Sequence, residues 1–121
     1  MLKPLQIGLI GFGTVGSGTY QLLKRNQHEI QRRLGRGLHI SMVADLDTEK
    51  VKSVVDADCI VVSDANEIIS RADIDVVIEL IGGYGFALEV VSKALEAGKH
   101  VVTANKALLA THGELIFELA R

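Results

Sequence analysis

Five short apolar runs, each followed by a stretch of helical period, divide the chain from end to end. The runs cover residues 5–10, 39–44, 58–62, 76–81 and 100–103. Between them the spacing predicts helices over 14 to about 34, 47 to about 55, from 65 to about 72, and 86–97, with another from 108 onward. Asp64 with Glu67 three residues on, and Thr111 with Glu114, have the spacing of capping boxes. The run at 76–81 is almost wholly apolar rather than alternating, as a strand covered on both faces must be. Strict β-α alternation then calls for a parallel α/β sheet with right-handed crossovers, at least five strands wide, with helices on both faces. In the first helix Val15, Leu22, Leu23 and Ile30 form the expected inward stripe, and Gly35 and Gly37 end it.

The length of 121 residues suits one domain, 1–121, and 48% hydrophobic residues with a mean hydropathy of +0.28 promise a real core. Aromatics supply only 4% and tryptophan none, so that core must be aliphatic. Thirteen basic against fifteen acidic residues leave a net charge of −2, which argues against a nucleic-acid or anionic-membrane partner. No apolar run approaches the roughly 20 residues of a membrane span, and the amino terminus lacks signal-peptide features. The single cysteine, Cys59, reads as a small buried hydrophobe, and a reducing, cytoplasmic setting is the default. His28, His39, His100 and His112 show no ligand spacing with one another or with Cys59, so no metal centre is expected. Arg121 falls inside an unfinished helical pattern without a stop signal, and a longer parent chain is expected.

Glycine is the one skewed entry: twelve against a single proline, with Gly8, Gly11, Gly13, Gly16 and Gly18 inside eleven residues. Gly11-Phe12-Gly13-Thr14-Val15-Gly16 lies directly between the first strand and the first helix. In that context Gly11 makes a tight turn, Gly13 leaves room for a pyrophosphate, and Gly16 lets the helix pack closely. The free N–H groups and dipole at the helix start would hold the anion. A turn needed for packing alone is the competing reading.

Asp45, at the end of the second strand, stands where a carboxylate meets the adenosine ribose hydroxyls, though 29 residues after Gly16 rather than about 20. The long first helix and the loop at Gly35 and Gly37 account for the excess. No arginine follows Asp45 to meet a 2′-phosphate and the nearest base is Lys50, which favours NAD over NADP. The alternative is that Asp45 only caps the next helix, a task for which Asp47 is better placed. Glu79, an acid in an apolar strand, must find a donor or face the cleft. Lys106 follows the last strand, where a helix start disfavours a cation. It is either functional or a solvated surface lysine.

Three segments together carry a specific resemblance: 7–16 around the glycine turn, 77–83 with Val77-Ile78-Glu79-Leu80-Ile81-Gly82-Gly83, and 101–110 with Thr103-Ala104-Asn105-Lys106. They are similar to the amino-terminal part of homoserine dehydrogenases, the Thr-Ala-Asn-Lys segment being the discriminating piece. The resemblance implies a Rossmann-type doubly wound fold, NAD(P) as cofactor, and interconversion of L-homoserine and L-aspartate 4-semialdehyde. It places Phe12, Gly13, Thr14, Val15 and Gly16 at the pyrophosphate, and Ile81, Gly82, Thr103 and Ala104 on the nicotinamide side. Lys106 matches a lysine beside nicotinamide and substrate, implicated in cofactor contact and proton transfer. Members of the family continue into a substrate and dimerisation domain carrying a second lysine, the homoserine-binding carboxylates and a sodium-type site, so a homo-oligomer is expected through that domain. Two other readings remain: the cofactor domain of a different amino-acid or semialdehyde dehydrogenase, and a non-catalytic NAD-sensing module.

Overall fold

The computed structural model describes residues 3–81 and 85–103. Among the described residues strands and helices alternate as the apolar pattern requires, save that two helices follow the first strand: β1 (Leu5–Ile10), α1 (Thr14–Arg25), α2 (Gln27–Leu34), β2 (Leu38–Ala44), α3 (Thr48–Lys52), β3 (Ile60–Val62), α4 (Ala65–Ile69), β4 (Val76–Glu79), α5 (Gly85–Glu96) and β5 (His100–Thr103). The five strands form one sheet in the order β3-β2-β1-β4-β5, every pairing parallel. The chain therefore winds outward from β1 in one direction, returns, and winds outward in the other.

Each face of the sheet buries an aliphatic layer. Ile10, Met42, Ala44 and Val77 pack with Ile68 and Ile69 of α4 and with Val90 and Ala94 of α5. On the other face Ile7, Leu9, Ile40 and Val43 pack with Tyr20 of α1 and Val51 of α3. Gly8 has no side chain because Ile68 fills that space; a Cβ there would collide with the Ile68 methyl. A bulge shifts the alternation of β2: Ile7 pairs with Ile40 but Gly8 pairs with Met42, leaving Ser41 over, so Ile40 and Met42 lie in opposite layers. The Ser41 hydroxyl oxygen is shielded and has no hydrogen-bond partner among the described residues. Lys99, at the foot of α5, is also buried. Its ammonium donates to the Arg71 and Ile74 carbonyls at 2.5 and 2.8 Å and so ties the α4–β4 loop to β5.

Two expectations for the first helix need correction. It is not continuous over 14–34 but breaks at Asn26. The Asn26 side-chain amide donates to the Leu22 carbonyl and that of Gln27 to the Leu23 carbonyl, both at 2.8 Å. The Leu22 carbonyl also keeps the helical bond from the Asn26 backbone N–H at 3.1 Å, whereas the Gln27 side chain takes the Leu23 carbonyl that a continuing helix would use, and the axis restarts. Nor do Val15 and Leu22 face inward; they are exposed, while Gly16 and Tyr20 are the buried positions of α1. The short helices and β3 are also narrower than the apolar pattern predicts, α3 covering Thr48–Lys52 and β3 Ile60–Val62. The helix expected from residue 108 lies outside the described residues.

Candidate functional site

A cleft of about 500 Å³ opens at the carboxyl ends of the strands, where the winding reverses between β1 and β4. Its floor is Gly11, Phe12 and Gly13; one wall is Asp45, Leu46, Ser63 and Asp64, the other Leu80, Ile81 and Phe86. Gly11 has φ +96°, and a Cβ there would stand 3.1 Å from the Leu80 backbone, so the turn after β1 needs glycine. A Cβ on Gly16 would collide with the Gly11 carbonyl, which is how closely α1 seats on that turn. Gly13 differs. A Cβ there would meet nothing within 4 Å, and its backbone is extended (φ −74°, ψ −155°), so no feature of the described fold demands glycine.

Gly13 is also the N-cap of α1, and no side chain caps that helix; its first turn contains no acid. The amides of Thr14, Val15 and Gly16 precede the first intrahelical bond, Ser17 N–H to the Gly13 carbonyl. Twelve residues of aligned peptide thus present a partial positive charge at the cleft floor.

Asp45 is tied into the turn rather than left to solvent. Its Oδ2 accepts the Phe12 N–H at 2.7 Å and its Oδ1 accepts the Asp47 N–H at 2.9 Å. Asp47, not Asp45, caps α3, accepting from the Lys50 N–H. The carboxylate is therefore fixed at the junction of β2 and the glycine turn, lining the cleft. The residue after it is Leu46, almost fully exposed, and offers no charge to a phosphate.

Glu79 is fully buried at the end of β4, and both its oxygens are engaged. Oε1 accepts the Ile81 N–H at 2.6 Å and Oε2 accepts the Thr103 hydroxyl at 2.5 Å. Of the two outcomes open for this acid, it finds donors. Burying an unpaired carboxylate would cost several kcal/mol, so these bonds are what make the position tenable.

Among the residues predicted for the site, the cleft takes in Gly11, Phe12, Gly13, Asp45 and Ile81. The Phe12 ring itself points into the core, edge-on to Tyr20 with centroids 6.0 Å apart, so only its backbone reaches the cleft side. Thr14, Val15 and Gly16 form the adjoining first turn of α1, and Thr103 joins through Glu79. Gly82, Ala104 and Lys106 lie outside the described residues. Sequence reasoning missed Leu46, Ser63, Asp64, Leu80 and Phe86. Ser63 and Asp64 follow β3 and Leu80 follows β4, so asking what stands just past every strand would have found them.

A second hollow, about 340 Å³, lies at the opposite end of the sheet between Pro4, Leu38 and the end of α1. There Lys24 pairs with Asp56, the Tyr20 hydroxyl accepts the Asp56 N–H at 2.9 Å, and His39 bridges the Gln6 amide oxygen and Asp58. The Lys24 ammonium beside Asp56 holds that carboxyl below its ordinary range, and burial pushes the Tyr20 hydroxyl above its own. Next to it the Cys59 thiol is pushed up to about 11, by burial first and then by Asp58 and Asp56. Among the described residues no group of three or more His, Cys, Asp or Glu side chains is placed to hold a metal ion.

A parallel sheet in the order 3-2-1-4-5, with its cleft at the reversal and a glycine turn on the cleft floor, is the architecture of dinucleotide-binding domains. Comparison with known proteins narrows the class. The family model of the homoserine dehydrogenase NAD-binding domain matches residues 11–121, and the chain belongs to that family. It is 51% identical over 119 residues to a homoserine dehydrogenase of Neisseria gonorrhoeae, covering 98% of this chain and 27% of the relative. It is 55% identical over 109 residues to one of Methylobacillus glycogenes, covering 90% and 26%. The crystal structure of a homoserine dehydrogenase from Thiobacillus denitrificans superposes with a TM-score of 0.90 at 41% identity, over 97% of this chain and 27% of that one. The chain thus spans about a quarter of the length of these relatives.

Proposed function

We propose that this domain, residues 1–121, holds NAD(P) for an enzyme that interconverts L-homoserine and L-aspartate 4-semialdehyde. The supporting observation is Gly13. It is open on the cleft side, in a conformation any residue adopts, at the uncapped start of a twelve-residue helix. A position that needs no glycine for the fold but carries one fits a ligand that must touch the backbone, and a pyrophosphate fits the charge.

In this reading Gly11 shapes the turn, and the backbone of Phe12, Gly13, Thr14, Val15 and Gly16 cradles the pyrophosphate. Asp45, already oriented by the Phe12 and Asp47 amides, accepts from the adenosine ribose and repels a 2′-phosphate. With Leu46 beside it, the preference is for NAD over NADP. Ile81, Gly82, Thr103 and Ala104 border the nicotinamide half. Lys106, by the resemblance, contacts the cofactor and substrate and moves a proton at the reacting oxygen. The bound nicotinamide supplies the hydride exchange.

Hydride transfer needs the nicotinamide carbon held about 3–3.5 Å from the substrate's reacting carbon, which requires the substrate's amino-acid group to be clamped. The residues for that are assigned to the part of the relatives that this chain does not match, as is the homo-oligomer contact. Among the described residues no helix is long and apolar enough to cross a membrane, and we place the enzyme in the cytoplasm. The test is paired: NADH binding by fluorescence, and turnover of L-homoserine with NAD or NADP followed by nicotinamide absorbance. The 121-residue chain is expected to bind NADH and to show no turnover. Absence of binding overturns the reading, and turnover lost in Lys106→Ala would put the whole catalytic set within these residues.

A further inference from the structure

The strand pairing places Glu79, the last residue of β4, directly opposite Thr103 on β5. The Leu80 N–H still continues the ladder, donating to the Ile10 carbonyl at 2.9 Å. Ile81 is the first residue after β4 whose N–H has left that ladder, and the Glu79 carboxylate takes it at 2.6 Å. The other carboxylate oxygen takes the Thr103 hydroxyl, so one buried side chain ties the exit of β4 to Thr103 of the neighbouring strand. Two residues below, the same pair of strands is joined by Val77 opposite Val101, an apolar contact. Stability alone is served at least as well by that kind of pair, since a buried ionic group seldom outperforms packed hydrocarbon. The carboxylate stands instead at the cleft end of the strands, where Leu80 and Ile81 form one wall.

The direction of the cleft says which part of a ligand that wall would meet. Asp45 and Leu46 lie on the β2 side of the glycine turn, Leu80 and Ile81 on the β4 side. With the pyrophosphate over the turn and the adenosine ribose at Asp45, the other nucleoside of a dinucleotide falls against β4 and β5. We propose that Glu79 is a positioning residue for the nicotinamide half of the cofactor, acting through the Ile81 amide and the Thr103 hydroxyl. Fully buried and with both oxygens engaged, it touches no ligand itself. It holds Ile81 and Thr103 at one fixed separation so that the nicotinamide wall exists before the cofactor arrives. This inference rests on dinucleotide binding in the cleft.

A Glu79→Gln side chain has the same shape but one acceptor fewer. Its oxygen can keep the Ile81 N–H only by turning its NH₂ toward Thr103, which reverses that hydrogen bond. The experiment titrates NADH and ADP in parallel into the wild-type chain and the variants Glu79→Gln, Thr103→Val and Thr103→Ser. ADP occupies the adenosine and pyrophosphate positions and has no nicotinamide riboside. Glu79→Gln and Thr103→Val are expected to weaken NADH about fivefold or more while ADP stays within about twofold, and Thr103→Ser, which keeps the hydroxyl, to restore NADH binding. Equal losses for NADH and ADP, or no loss of NADH, would overturn the proposal. Should Glu79→Gln fail to fold, the contrast between Thr103→Val and Thr103→Ser decides it. A wild-type chain that binds neither ligand would overturn the dinucleotide reading, and this inference with it.

Discussion

The two hollows at opposite ends of the sheet are built on different principles. At the amino-terminal end, polar groups meet one another: Lys24 with Asp56, Tyr20 with the Asp56 amide, His39 between Gln6 and Asp58. At the carboxyl end, a helix starts with no cap and a glycine faces empty space. A hollow whose polar groups pair internally has little left to offer a ligand, whatever its size. A hollow that leaves backbone donors and space uncommitted is arranged for one. Volume alone does not separate the two; the state of the hydrogen bonds does.

The largest effect expected from this contrast is at Gly13. Gly13→Val puts a branched side chain where the pyrophosphate is proposed to sit, yet its backbone angles are ordinary and nothing stands within 4 Å. NADH affinity measured by calorimetry should fall tenfold or more, a loss of about 1.4 kcal/mol, with the fold kept and stability lowered only by the poorer N-cap. Unchanged affinity in the folded variant would remove the distinction between the hollows.

Asp45→Asn should act next most strongly, and selectively. The variant removes the charge that opposes a 2′-phosphate, so the ratio of NADH to NADPH affinity should narrow by about three- to tenfold at fixed ionic strength. Equal shifts for the two cofactors would make Asp45 a brace for the glycine turn and nothing more, given that it already holds the Phe12 and Asp47 amides.

Tyr20→Phe tests the other end. It keeps the ring against Phe12 but leaves the Asp56 N–H without its acceptor. Denaturant unfolding should show a loss of about 1 kcal/mol, and NADH affinity should not change. An equally large loss of NADH binding would mean that the two ends are coupled through the Phe12–Tyr20 contact.

The smallest effect concerns Cys59. With its thiol at about 11, roughly one molecule in a thousand is thiolate at pH 8, so native alkylation by iodoacetamide should be far slower than in denaturant. The unfolded thiol ionises near its ordinary value of 9.0 and the folded one near 11. Above pH 9 the unfolded chain therefore holds fewer protons, and the thiol's contribution is full below pH 9 and lost as pH rises toward 11. A Cys59→Ala variant should lack that part of the alkaline decline.

The sheet and the glycine turn were legible because each rests on local pattern: apolar runs of fixed length, helical periods between them, and glycines at the first junction. Gly11 and Gly16 take the tight-turn and close-packing geometry that the motif implies. The break at Asn26 was not legible. It depends on the Gln27 side-chain amide choosing the Leu23 carbonyl, which the apolar period does not register. The outward turn of Val15 and Leu22 has a related cause, since Gly16 and Tyr20 are what the sheet accepts. The partners of Glu79 were illegible for a different reason. Thr103 is 24 residues away, and only the register of two parallel strands sets it opposite. Local chemistry announced that Glu79 needed donors; topology decided which.

The central claim, that the cleft over the glycine turn is the dinucleotide site, is tested most directly by amide chemical shifts during an NADH titration. The amides of Phe12, Gly13, Thr14, Asp45 and Ile81 should move together and saturate with one dissociation constant, while those of Leu23, His39 and Asp58 stay still. Shifts gathered around Tyr20 and His39, or none at the glycine turn, would contradict it.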